Sequence, residues 1–159
     1  MEGGCTCRSV RYRLIAKSMI THCCHCRWCQ RETGSAFVIN ALFETSALDV
    51  TGETTMIETP SQSGKGQKIV RCPKCSVALW SHYAQAGTAI AFLRVGTLDE
   101  PDAIEPDVHI YVSSKQPWVR LPEDVPSFSE FYNVQEVWTK EARARFVAAK
   151  QASLSSRST

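Results

Sequence analysis

No apolar stretch of this chain approaches the roughly 18 consecutive residues that a membrane-spanning helix needs. No long run of one charge sign appears either: 18 basic and 16 acidic side chains leave a formal charge of +2. That balance lacks the clustered basic footprint of a nucleic-acid binder, and it gives no reason to expect a membrane surface as partner. The opening residues, Met1 to Leu14, lack the apolar core of an export signal. The expectation is a cytoplasmic protein, and its 159 residues suggest one domain. There is no internal repeat and no linker-like segment between two halves.

Cysteine is abundant: the chain has eight. In a reducing compartment patterned cysteines point to metal binding or catalysis more than to disulfides. Cys5-Thr6-Cys7 and adjacent Cys23-Cys24 are also poor disulfide partners of each other. Cys24, Cys26 and Cys29 can converge on one ion from a single short turn, with a fourth corner left for a residue from elsewhere, water or a substrate. Structural zinc sites are closed by four protein ligands, and catalytic ones keep a position open. Cys5 and Cys7 with Cys72 and Cys75 supply a complete four-thiolate set. Cys5 and Cys7 would share a face if their segment were extended, and Pro73 holds the second pair in a turn. Cys23 is left over.

Two alternatives stay open on the residues alone. Cys26 and Cys29 with Cys72 and Cys75 form the two halves of a zinc ribbon, although far more than the usual ~15–20 residues separate them. The three-cysteine set could also be closed by Cys23, His22, His25, His82 or His109, which would make it structural. Soft thiolates select zinc over magnesium or calcium. Three of them on Zn²⁺ leave a formal charge of −1, which suits binding an incoming thiol better than making hydroxide.

The pattern elsewhere is mainly β. Ser9 to Ile15 alternates Val10, Tyr12 and Leu14 against Arg11 and Arg13, as a half-buried strand does. Further strands are expected over 36–43, 48–51, 55–58, 67–71, 77–83, 88–95 and 108–112, with a Gly-, Pro- and Ser-rich loop over 59–66. A short helix over 27–33 is ended by Gly34. Residues 135–151 read as a C-terminal helix packed on a domain of residues 1–134, with 152–159 a polar tail. Arg27 and Arg31, four apart on the short helix, could meet the carboxylates of a substrate. His109 could shuttle a proton, and Trp118 could wall the pocket; His82 and Tyr83 are weaker candidates. The alternative function is a non-catalytic zinc module for protein interaction, docking through Trp138 and Phe146 beside Lys140, Arg143, Arg145 and Lys150.

Gly3-Gly4-Cys5-Thr6-Cys7, Cys24-His25-Cys26-Arg27-Trp28-Cys29-Gln30-Arg31 with Gly34-Ser35-Ala36-Phe37, and Cys72-Pro73-Lys74-Cys75 together resemble the glutathione-dependent formaldehyde-activating enzyme family. So does His109-Ile110-Tyr111-Val112-Ser113-Ser114-Lys115-Gln116-Pro117-Trp118. The resemblance covers about residues 3 to 132. It implies an Mss4-like zinc-binding β-sandwich of short antiparallel strands and two zinc ions per chain. Cys5, Cys7, Cys72 and Cys75 would hold a structural zinc, and Cys24, Cys26 and Cys29 a second zinc that accepts the glutathione thiol. It further implies a carbon–sulfur lyase type of reaction joining glutathione to formaldehyde. Two positions depart from the family pattern: Arg8 and Ser76 stand where Gly usually follows the two cysteine pairs. Gly takes positive φ freely, so local differences in those turns are expected.

Overall fold

In the computed structural model residues 1–155 are described. Their strands are β1 (Glu2–Gly4), β2 (Arg11–Leu14), β3 (Ile20–Cys24), β4 (Val38–Glu44), β5 (Leu48–Thr51), β6 (Thr55–Thr59), β7 (Gln67–Arg71), β8 (Ala78–Tyr83), β9 (Ile90–Arg94) and β10 (Val108–Ile110). The helices are α1 (Arg27–Thr33), α2 (Val134–Val137) and α3 (Lys140–Ser155). A three-stranded sheet runs β1-β2-β5, and a seven-stranded one runs β10-β3-β4-β9-β8-β7-β6. The mainly-β expectation holds, and the pairs are antiparallel except for β10, which lies parallel to β3.

Period-2 alternation decides what each strand buries. On β2, Tyr12 and Leu14 are buried, while Arg11 and Arg13 turn outward to pair with Asp99 and Asp49. On the large sheet, Ala41, Phe43, Ala91 and Leu93 join Tyr12, Leu14 and Leu48 in a core between the sheets. Leu42, Val38, Ile90 and Ile20 face the other way, into a second core completed by Tyr132, Trp138 and Ala142. The sheet is therefore covered on that second face by the C-terminal segment.

Three local expectations are corrected. Ile20–Cys24, for which no element was expected, is a strand that leads into the cysteine run. Cys5-Thr6-Cys7 is a turn, with Arg8 in the left-handed region at φ 61, so the two thiols converge by chain reversal rather than by sharing a strand face. The C-terminal helix is two: α2 stops at Val137, Trp138 is extended, and Thr139 caps α3 by accepting from Ala142 N at 3.1 Å. α3 runs on to Ser155, through the first residues expected as tail; 156–159 lie outside the described residues.

Candidate metal centre and the cavity above it

Cys26 ends the extended run and caps α1, its Sγ accepting from Cys29 N at 3.3 Å. One helical turn then carries Cys29 back towards Cys24, with Sγ atoms 3.5 Å apart. All three thiols are buried and free, with sulfurs mutually within 4.8 Å. Among the described residues no other His, Cys, Asp or Glu completes this set. Cys5, Cys7, Cys72 and Cys75 form a separate group of four, with Cys5–Cys7 at 3.5 Å and Cys7–Cys72 at 3.7 Å. Sulfurs bound at about 2.3 Å to one tetrahedral ion lie about 3.8 Å apart, so both groups fit zinc. The ribbon pairing is not formed, since Cys26 and Cys29 belong to one group and Cys72 and Cys75 to the other.

Protonation supports the same fit. Hydrogen bonds from Cys24 and Cys29 pull the Cys26 thiol down to about 3. Cys24 is pushed far up, first by its bond to Cys26. Cys29 is pulled down by Cys24, but Cys26 and burial together carry it to about 12. Without a cation the trio shares its protons and ionises one sulfur easily. A divalent ion is what would hold all three as thiolates.

The Cys24–Cys26 turn is pinned from several sides. His25 N donates to Ile110 O at 2.9 Å. His25 O accepts Gln30 Nε2 at 2.6 Å and Ser114 Oγ at 3.1 Å. Gln30 is buried and fully used: its other contacts are Ser114 O, Arg27 and Gln116.

Strand register divides the remaining candidates. Because β10 pairs Ile110 with Cys24 and His109 with Cys23, Ile110 shares the face of Cys24 and His109 shares that of Cys23. His109 Nδ1 meets His25 Nε2 at 2.9 Å with ring planes 26° apart and centroids at 5.2 Å. That is an in-plane hydrogen bond, ring nitrogen facing ring nitrogen. The nearby Cys23 Sγ lies 3.6 Å from His25 Nε2, and Cys23, His25 and His109 form a third buried group with ligand atoms within 4.8 Å of one another. Burial lowers both imidazole pKa values, His25 to about 4.

Above the trio lies a cavity of about 240 Å³. Cys24, Cys26 and Cys29 border it together with Trp28, Asn40, Tyr83, Phe92, Ile110, Tyr111 and Phe131. His22, Gln62, Ser63, Ala84 and Gln85 complete it. His109, Arg27, Arg31 and Trp118 do not border it. Arg27 bonds Gln30 Oε1 at 2.9 Å, Arg31 is exposed, and Trp118 is 71% exposed. His82 is buried against Trp80 and Ile90 O. Of the weaker candidates Tyr83 does reach the cavity.

Sequence reasoning missed Asn40 and Phe131, and it named His22 only as a residue that could close the three-cysteine set, whereas His22 lines the cavity instead. His22, Asn40 and Arg94 are register partners across β3, β4 and β9. Arg94 is buried, donating to Asn40 Oδ1 and to Ser81 Oγ at 3.0 Å. His22 Nε2 lies 2.5 Å from Tyr132 Oη, which accepts Trp138 Nε1 at 2.6 Å. Burial pushes the His22 pKa down to about 3, so the ring is neutral near pH 7. This chain of contacts fastens the C-terminal segment to the cavity wall. The proposed docking face is likewise used internally. Trp138 packs edge-on against Phe146 at 5.4 Å, Arg145 pairs with Glu44, and Lys150 donates to Gln85 O.

Among known proteins, no curated sequence matches this chain. One solved structure, the crystal structure of a Rhodobacter sphaeroides protein, aligns over 67% of this chain and 97% of its own. It shares 20% identity at a TM-score of 0.48, too loose a likeness to carry an argument. The model of the glutathione-dependent formaldehyde-activating enzyme family matches residues 1–114, which include both cysteine groups and β10. With the family's extent covering most of the sequence, the chain belongs to the glutathione-dependent formaldehyde-activating enzymes.

Proposed function

We propose that this chain is a zinc-dependent enzyme of the carbon–sulfur lyase type, joining a small thiol, which the family's description gives as glutathione, to an aldehyde such as formaldehyde, or releasing it. The observation that carries the reading is the buried trio Cys24, Cys26 and Cys29 at the border of a cavity, without a fourth ligating side chain among the described residues. Zinc bound there would supply an electrophilic site that lowers the pKa of an arriving thiol. In the reaction a carbon–sulfur bond forms while the carbonyl π bond opens, and the thiol proton ends on the former carbonyl oxygen.

The chain's own residues supply position and protons. Phe92, Ile110, Tyr111 and Phe131 exclude water from the reacting atoms, and confinement of two small reactants provides much of the acceleration. Burial raises the phenol pKa values of Tyr83 and Tyr111, so both remain neutral hydroxyls able to donate to a developing alkoxide. His109, on the opposite strand face, has the role of positioning: its bond to His25 holds the turn that carries Cys24 and Cys26.

The test is exchange NMR on zinc-loaded protein with thiol and formaldehyde. Adduct exchange faster than the spontaneous rate is expected, and a Cys29→Ser variant should return it to that rate. Wild-type exchange at the uncatalysed rate for every thiol tried sinks the enzymatic reading. The competing interaction-module reading loses its surface, because Trp138 and Phe146 pack within the chain.

A further inference from the structure

Resting on the reading above, we propose that the thiol taken up beside Cys24, Cys26 and Cys29 is a compact one with an aromatic or aliphatic body, rather than a peptide thiol with free carboxylates. The lining carries the argument. Trp28, Tyr83, Phe92, Tyr111 and Phe131 put five aromatic rings around the cavity, with Ile110 between them. No lysine or arginine borders it among the described residues. A carboxylate moved from water into such surroundings loses its hydration without gaining a counter-charge.

Neighbouring cations do not fill that gap. Arg94, on the same sheet face, keeps its charge, since Asn40 and Ser81 are neutral acceptors, but it does not border the cavity: it sits behind Asn40, and its charge acts on the Cys29 sulfur. Lys68 pairs with Glu58, and Lys65 opens with it onto a separate depression beyond Tyr83 and Ala84. Arg27 and Arg31 stand outside. Three thiolates on a divalent ion would keep a net charge of −1 beside the entering sulfur, which also disfavours a second anionic group.

Size and rigidity point the same way. The space of about 240 Å³ falls below the roughly 300–1,000 Å³ of pockets that enclose drug-sized ligands. The wall is built rather than incidental. Phe131 stacks on Tyr132 at 4.5 Å with planes 15° apart, and Tyr132 is clamped between His22 and Trp138. Within the lining, the buried Trp28 Nε1 has no acceptor. It offers one donor to a neutral oxygen, such as the hydroxyl of a small hydroxymethyl adduct.

The experiment compares 2-phenylethanethiol, glutathione and glutathione diethyl ester on the full zinc-loaded chain. Binding is read by saturation-transfer NMR titration, and adduct exchange with formaldehyde is read separately. The aromatic thiol should bind at least about tenfold more tightly than glutathione, since it buries a ring and no charge. The ester, with its carboxylates masked, should bind more tightly than glutathione itself. Gln85→Arg, an exposed rim position, should raise glutathione binding severalfold and leave the aromatic thiol within about twofold. Glutathione binding as tightly as both the aromatic thiol and the ester overturns this proposal even if exchange is accelerated. A preference for the aromatic thiol without accelerated exchange for any thiol upholds it and overturns the catalytic reading instead.

Discussion

Two side chains sit on backbone that favours glycine. Arg8 and Ser76 both adopt φ 61, each just after a cysteine pair of the four-thiol group. The turns keep the shape that glycine would give them, and the hydrogen bonds show why. Arg8 N donates to Cys5 O and Ser76 N to Cys72 O, both at 2.9 Å, closing each turn so that its sulfurs converge. Left-handed backbone costs a non-glycine residue about 1–2 kcal/mol, partly offset by the smaller unfolded-state entropy of a side-chain-bearing residue. Ser76→Gly should therefore gain about 0.5–1 kcal/mol, read as a higher urea midpoint at unchanged slope. Arg8→Gly should behave alike, and a loss of stability in both would show that the side chains do more than tolerate the turn.

At the level of elements, α3 is held to the sheet by packing and by one ion pair. Arg145 Nε and Nη2 fork onto Glu44 at 2.8 and 2.6 Å, with both side chains mostly covered. The guanidinium holds the Glu44 pKa below its usual 4.5. A lowered carboxyl pKa means the stabilisation is complete above 4.5 and fades as the pH falls through the lowered value. Arg145→Met should cost about 1 kcal/mol at pH 7. In urea titrations that gap should narrow as the pH falls below 4.5 and through the lowered Glu44 pKa. A gap unchanged at acid pH would assign the effect to the lost packing of the side chain instead.

The elements were unevenly legible in the sequence. α1 was read to the residue, because Gly34 at φ 63 closes it and Cys26 opens it. Strands β5 and β7 were equally plain, bounded by turn-forming residues. β3 was invisible: Ile20–Cys24 is buried at every position, so it shows no alternation, and its cysteines drew attention to metal chemistry. The break between α2 and α3 was hidden by helix-favouring residues on both sides of Thr139. Spacing left the thiol sets open between the four-plus-three division and a ribbon pairing, and the positions of the sulfurs choose the first. The cavity was not, since Tyr111 and Phe131 reach Cys24 only through the parallel pairing of β10 with β3. That same pairing put His109 on the face of Cys23, away from the Cys24, Cys26 and Cys29 trio, which no count along the chain could reveal.

For the whole molecule, the function proposed above would divide the labour of the two thiol groups between stability and chemistry. The four-thiol group ties the turn after β1 to the turn between β7 and β8, joining the small sheet to the large one. Cys72→Ser should lose one zinc per chain and much of the stability, since structural zinc is worth about 10 kcal/mol or more in small domains. Cys26→Ser should also lose one zinc and yet melt within a few degrees of wild type, because serine can still cap α1. Elemental analysis and thermal circular dichroism together decide this. An unfolded Cys26→Ser variant would make the trio structural.

Distance along the chain has a consequence for how the protein is made. Chains leave the ribosome N-terminus first, and closing a short loop is faster than closing a long one. Cys24, Cys26 and Cys29 emerge together and can gather at once, whereas Cys5 and Cys7 must wait until Cys72 and Cys75 are synthesised. A nascent chain thus gathers the Cys24, Cys26 and Cys29 sulfurs before the four-thiol clasp can close, with its earliest two sulfurs exposed to wrong metals and oxidants in the interval.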